Sequence, residues 1–316
     1  MCSIFGVLDY KGKLEPTQRR NMVKALSIAA EVRGTDATGI AFFNGESLRI
    51  QKAPKPAHRM KFNIPNETRY IIGHTRMTTQ GSERKNQNNH PFPGNAGGTK
   101  FALAHNGVLI NDRELALRNQ LPQTNIETDS YVAVQLIEKQ NEVSPDSLRR
   151  MAEVLEGHFT FTVLDQKNNL YFIKGNNPLT IYHYPQMGLY LYASTQEILE
   201  AAVRTLGISP WKKEVIQPRQ GDILRINRNG KRTTTRFDDT NISHSWWRYL
   251  PSQHISRENE HMNLILEMAD YLGIPRQEMQ LFSKAGYSAW DMEDLLYDDE
   301  LRACCLEEVQ LELAAW

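Results

Sequence analysis

Met1-Cys2-Ser3-Ile4-Phe5-Gly6-Val7-Leu8 opens the chain, and the rest of the sequence takes its meaning from it. Cys2–Leu8 reads as a β-strand. An initiator methionine is normally trimmed when a small residue comes next, so Cys2 is expected to become the mature N-terminus. One residue then carries both a thiol and a free α-amine. The amine has an ordinary pKa of about 7.7–8.0 and the thiol about 8.5. At neutral pH the amine can take the proton of its own thiol, as a terminal amine activates an N-terminal threonine. Cys2 is the only cysteine before Cys304 and Cys305, which are adjacent, so the chain holds neither a disulfide framework nor a CxxC metal pattern. A Met-Cys start is common by itself, and its significance depends on the segments downstream of it.

The 316 residues suffice for one large domain and a smaller one. Lys+Arg and Asp+Glu are each 37, so no net field favours nucleic acid or an anionic membrane. No basic-then-apolar leader and no apolar run near 18 residues is found, and the protein is expected to be cytoplasmic. Residues 1–240 alternate short β-runs with a few helices. Cys2–Leu8, Ala37–Phe43, Tyr70–Thr75, Phe101–Ala104, Phe159–Leu164, Leu170–Ile173 and Leu189–Tyr192 read as strands. Thr17–Val32, ending at Gly34, together with Ser130–Lys139 and Ser194–Leu206, reads as helix. Residues 241–258 read as a linker and 259–316 as a helical extension. There Pro275 opens a helix, Gly273 and Gly286 close helices, and Ser288 with Asp291 caps another. The last 28 residues hold nine Asp/Glu and one Arg, so the tail is locally acidic.

Five segments stand with Cys2: residues 33–40 (RGTDATGI), 73–81 (GHTRMTTQG), 89–92 (NHPF), 105–107 (HNG) and 127–130 (ETDS). Together they supply what a thiol hydrolase acting on an α-amino acid amide needs. Arg76 offers a rigid fork for a substrate carboxylate. Asp129 offers a carboxylate for an α-ammonium group. The Asn106 side chain and the Gly107 N–H offer two oxyanion donors, each worth roughly 2.7–4 kcal/mol to a transition state. Each segment alone has a plainer reading: a helix C-cap at Gly34, a surface ion pair at Arg76, a type I′ turn at Asn106-Gly107, an N-cap at Thr128-Asp129. His74, His90 and His105 lack ligand spacing, so no metal is expected. Taken together and in this order, the segments favour the chemical reading.

In that order they resemble the class II glutamine amidotransferase domain, an N-terminal nucleophile hydrolase. The matching stretches are MCSIFGV, RGTDATGIA, GHTRMTTQGS, NNHPF, LAHNGVLIND and ETDS, with LEGHFTFTVLD, GNNPL, ASTQEIL and GDILRI further on. The resemblance covers about residues 2–237. It implies that Cys2 is the nucleophile and that Asn106 and Gly107 form the oxyanion hole. It also implies that Arg76 and Asp129 bind the two ends of glutamine, that Thr79 touches it, and that Arg33 lies near the nucleophile. Met77, Gln80 and Tyr131 depart from the family's usual residues.

The resemblance further implies an α+β fold, a four-layer αββα sandwich with a small C-terminal helical region. The expected reaction releases ammonia from glutamine without a cofactor. The nitrogen is expected to pass to a separate ammonia-accepting synthase, docked through the C-terminal helices or not, since those helices read equally as a packed extension. Hydrolysis of another γ-glutamyl amide, and a non-catalytic binding module, are the alternatives. Residues 77–100, polar and without apolar period, read as a mobile lid with Gly81, Gly94, Gly97 and Gly98 as pivots.

Overall fold

The computed structural model describes residues 2–244 and, beyond them, 262, 265–266, 269–270, 272–288, 291–292, 295–296 and 299–314. The chain forms two compact units, Met1–Trp246 and Trp247–Trp316.

In the first unit the strands are β1 (Ser3–Asp9), β2 (Ala37–Asn44), β3 (Ser47–Ala53), β4 (Tyr70–Arg76), β5 (Phe92–Ala96), β6 (Thr99–Leu109), β7 (Gly157–Asp165), β8 (Leu170–Lys174), β9 (Thr180–Tyr184), β10 (Leu189–Ala193), β11 (Glu214–Ile216), β12 (Asp222–Ile226) and β13 (Arg232–Arg236). The helices are α1 (Pro16–Ala29), α2 (Asp112–Arg118), α3 (Tyr131–Lys139), α4 (Pro145–Glu153), α5 (Gln196–Thr205) and α6 (Thr240–His244). One sheet has the order β11-β9-β10-β1-β4-β2-β3 and the other β13-β12-β8-β7-β6-β5. Neighbouring strands run antiparallel throughout the described residues.

The period-2 alternation of β1 sorts its side chains into two layers. Phe5 and Val7 pack with Val23 and Leu26 of α1 and Leu199 of α5. Ile4 and Leu8 turn the other way and meet Ile72, Ala102, Ala104 and Phe172 between the sheets. Beyond the second sheet, Leu103 and Phe161 pack against Val134, Ile137 and Leu148 of α3 and α4. The result is the expected four-layer αββα sandwich. Truncating a buried aromatic such as Phe5 to Ala costs on the order of 3–5 kcal/mol.

Local chemistry sets the helix ends. Pro16 occupies the first position of α1, where its missing N–H loses no intrahelical bond. Periodicity carries this helix to Val32, but its last turn tightens into a 3-10 turn, Ala30–Arg33. Thr75 Oγ1 donates to the Ala30 carbonyl at 3.0 Å and holds that turn against β4. The stretch expected as Ser130–Lys139 forms α3 with Ser130 at its N-cap. In α5 the Thr195 hydroxyl accepts the Ile198 N–H at 3.4 Å.

Three expectations require correction. Residues 77–100 are not one polar loop, because Phe92–Ala96 is a strand paired to β6 with Phe92 opposite Leu103. Phe92, Gly94 and Ala96 face inward, and Gly97 and Gly98, at φ 58° and 81°, form the hairpin turn rather than lid pivots. Asn106 and Gly107 lie inside β6, which runs to Leu109, five residues past the predicted end of that strand at Ala104. The stretch expected as a linker also begins differently. Thr240–His244 is helical and Ile242 packs into the core of the first unit. Residues 245–258 lie outside the described residues.

In the second unit, α7 (Arg276–Lys284) starts after Pro275 and α8 spans Asp299–Ala314. The Ser288 N–H donates to Asp291 Oδ2 at 2.9 Å and the Asp291 N–H returns to Ser288 Oγ at 3.2 Å, a reciprocal cap. Phe282, Met279, Leu295 and Val309 form its core.

Candidate active site

Strand parity gathers the candidate residues. On β1, β4 and β6 the even-numbered positions face the space between the sheets, as Ile4, Ile72 and Ala104 show. Cys2, Arg76 and Asn106 continue these rows at the same end of the sandwich. His74, on the same row as Arg76, donates from Nε2 to the His105 carbonyl at 2.9 Å and ties β4 to β6 across the gap.

Cys2, Arg76, Thr79, Gly107 and Asp129 line one small cavity. Cys2 is half-buried, and its Sγ–H donates to the Met77 carbonyl at 3.3 Å. Burial pushes the thiol pKa up, while the chain's terminal ammonium, the Met77 contact and the Arg76 charge pull against it. The neutral thiol is therefore the favoured form at pH 7.

Arg76 is buried at the end of β4. Its Nη1 donates to Asn89 Oδ1 at 2.7 Å and its Nη2 to the Gln80 carbonyl at 2.6 Å. The next loop thus fixes the fork, leaving the remaining N–H groups of the guanidinium for a ligand. Asp129 lies just before α3, where its Oδ2 accepts the Leu109 N–H at 2.6 Å. Burial raises its carboxyl to about 6, against the hydrogen bonds from Leu109 and Ser130 that lower it. The Ser130 hydroxyl donates to Asp129 Oδ1 at 3.3 Å and lies 2.8 Å from His105 Nδ1. Burial lowers His74 and His105 to about 3 and takes His90 well below its ordinary value, so all three imidazoles are neutral at pH 7.

Gly107 has φ 142°, and a Cβ there would lie 1.9 Å from the His158 carbonyl oxygen, so only glycine fits. The adjacent Asn106 is fully buried, and neither atom of its amide has a hydrogen-bond partner among the described residues. Asn106 does not line the cavity itself. Arg33 also stands outside it, and its Nε donates to the Cys2 carbonyl at 3.1 Å. The groups that sequence reading missed are Asn89 and the carbonyls of Met77 and Gln80. A backbone carbonyl carries no sequence signal, and Asn89 was legible only as part of the NHPF segment.

The arrangement offers a thiol, the Gly107 backbone, a cation and an acid in one small cavity, with the buried Asn106 amide next to Gly107 in the chain. Two stacked sheets with helices outside, and a cysteine at the head of a central strand, give the fold of the N-terminal nucleophile hydrolases. Over residues 22–175, just under half of its length, the chain matches the family glutamine amidotransferases class-II.

Its relatives are glutamine-utilising enzymes. Glutamine--fructose-6-phosphate aminotransferase [isomerizing] of Staphylococcus epidermidis is 30% identical over 190 residues, 57% of this chain and 30% of the relative. Amidophosphoribosyltransferase of Methanothermobacter thermautotrophicus is 27% identical over 268 residues, 79% of this chain and 52% of the relative. The chain thus spans about a third to a half of the length of these relatives. The solved structure of glutamine phosphoribosylpyrophosphate amidotransferase from B. subtilis superposes with a TM-score of 0.58 at 23% identity, covering 85% of this chain and 58% of that one. This last likeness concerns the fold. Among the described residues no helix is long and apolar enough to cross a membrane.

Proposed function

We propose that this chain hydrolyses the side-chain amide of glutamine with Cys2 as an N-terminal nucleophile. The observation that carries the reading is the convergence of Cys2, Arg76, Gly107 and Asp129 on one cavity, beside the unpartnered amide of Asn106. Removal of Met1 frees the Cys2 amine, and Arg33 on the Cys2 carbonyl holds that residue in place. The amine takes the thiol proton, through a water, and the thiolate attacks the amide carbon of glutamine. Gly107 N–H and the Asn106 amide hold the oxyanion. As the tetrahedral species collapses, the ammonium returns its proton to the departing nitrogen and ammonia leaves. Water then cleaves the γ-glutamyl thioester, its proton passes by way of the amine to the cysteine sulfur, and glutamate is released. Arg76 binds the α-carboxylate, Asp129 the α-ammonium and Thr79 the substrate backbone.

The ammonia passes to an acceptor enzyme, with the helical second unit as the docking element. The names of the relatives, which join glutamine to an acceptor in one transfer, support this step. Cys2→Ala is expected to abolish glutamate release, and undiminished release from that variant would overturn the mechanism. Comparing glutamine with larger γ-glutamyl amides tests the substrate.

A further inference from the structure

We propose that Asn177 positions the oxyanion-binding N–H of Gly107, a role that rests on the amide-hydrolase reading above. Asn177 sits in the turn between β8 and β9, and its Nδ2 donates to the Asn106 carbonyl at 2.9 Å. That carbonyl and the Gly107 N–H belong to one planar trans peptide and point in opposite directions. Whatever holds the carbonyl aims the N–H.

The edge of β6 that carries this N–H has no strand beside it, since β5 pairs with β6 only as far as Phe92 opposite Leu103. On that edge the His105 carbonyl accepts from His74 and the Leu109 N–H donates to Asp129. Backbone groups of alternate residues in an antiparallel strand point the same way. The Gly107 N–H, midway between those two contacts, therefore faces the cavity that Gly107 lines.

β6 stays paired with β7 here, with Asn106 opposite Thr160 and Gly107 opposite Phe159, and Asn177 adds a side-chain donor to the same peptide. The turn supplies a rigid mount. The buried Thr160 hydroxyl donates to the Asn177 carbonyl at 2.7 Å, and Asn176 Oδ1 accepts the Phe159 N–H at 3.1 Å. A donor on the Asn106 carbonyl also polarises the peptide and strengthens its N–H as a donor in turn. Asn177 does not line the cavity. It acts through Gly107 and is a positioning residue.

The test uses the full chain, with steady-state kinetics on glutamine and binding of two probes. Glutamate γ-semialdehyde forms a hemithioacetal with Cys2 that places an oxygen where the oxyanion develops, and glutamate reads ground-state binding alone. Asn177→Ala should lower kcat roughly 10- to 100-fold, less than outright loss of a donor. KM and glutamate affinity should stay within about twofold, because the contact matters only in the transition state. Affinity for the semialdehyde should fall by the same factor as kcat. Asn177→Asp has the same size, keeps the packing if the Ala variant does not fold, and turns an acceptor towards the carbonyl, so its kcat should be lower still. An unchanged kcat in the soluble variants, or losses shared equally by KM, glutamate and semialdehyde, overturns the role of Asn177. Wild-type protein that releases no ammonia from glutamine overturns the hydrolase reading itself.

Discussion

Asp129 holds its carboxyl near 6 because burial disfavours its charge more than the Leu109 and Ser130 bonds favour it. The folded protein therefore keeps this proton more tightly than the unfolded chain, whose aspartate titrates near 3.9. Ionisation of Asp129 costs stability as pH rises from about 4 to 6. Substrate binding has the opposite sign, since only the carboxylate attracts an α-ammonium group. KM for glutamine should rise as pH falls through about 6, and Asp129→Asn should raise it roughly 30-fold, about 2 kcal/mol, while flattening that profile. A KM that is flat between pH 5 and 7.5 in the wild type would remove Asp129 from the ammonium site. Cys2, Arg76, Gly107 and Asp129 were legible because each stands in a short segment with its own chemistry. Asn177 was not, because its partner is a backbone carbonyl 71 positions away that only the fold brings near.

The segment after β4 shows where local pattern reading stops. Pro93, Gly94 and Gly97-Gly98 break any apolar period and so place residues 92–99 in the lid, yet pairing with β6 makes them a hairpin. Tertiary pairing overrides weak local propensity at such an edge. Strands β3, β11 and β13, each at a sheet edge with no fully buried residue, escaped for the same reason. What remains of the lid is residues 77–91, and its far end is anchored. Asn88 is buried and exchanges hydrogen bonds with Glu127 at 2.9 Å each, and Lys85 pairs with the same glutamate. The near end is held by the Thr78 N–H on Asp36 Oδ2 at 2.7 Å and by Cys2 and Arg76 on the Met77 and Gln80 carbonyls. Hydrogen exchange at residues 78–87 should slow when a thiol-reactive glutamine analogue occupies Cys2, while residues 92–96 stay protected in both states. Equal exchange at 78–87 with and without the analogue would show that nothing there closes.

For the whole molecule, the four-layer sandwich was anticipated only through the family resemblance that six ordered segments carry, and not from strand periodicity. The two compact units predict that a chain ending at Trp246 retains glutamine hydrolysis with kcat and KM unchanged, and loss of activity in a folded truncation would contradict this. The sandwich matters to the chemistry through one residue, the cysteine at the head of its central strand. Acid-quenched intact-protein mass spectrometry during glutamine turnover, with subsequent peptide mapping, reads that residue directly. The expected result is a chain lacking Met1 with a γ-glutamyl adduct on Cys2 that appears with glutamine and vanishes in Cys2→Ala along with turnover. Turnover by a chain that retains Met1, or an adduct mapped to any other residue, would contradict it.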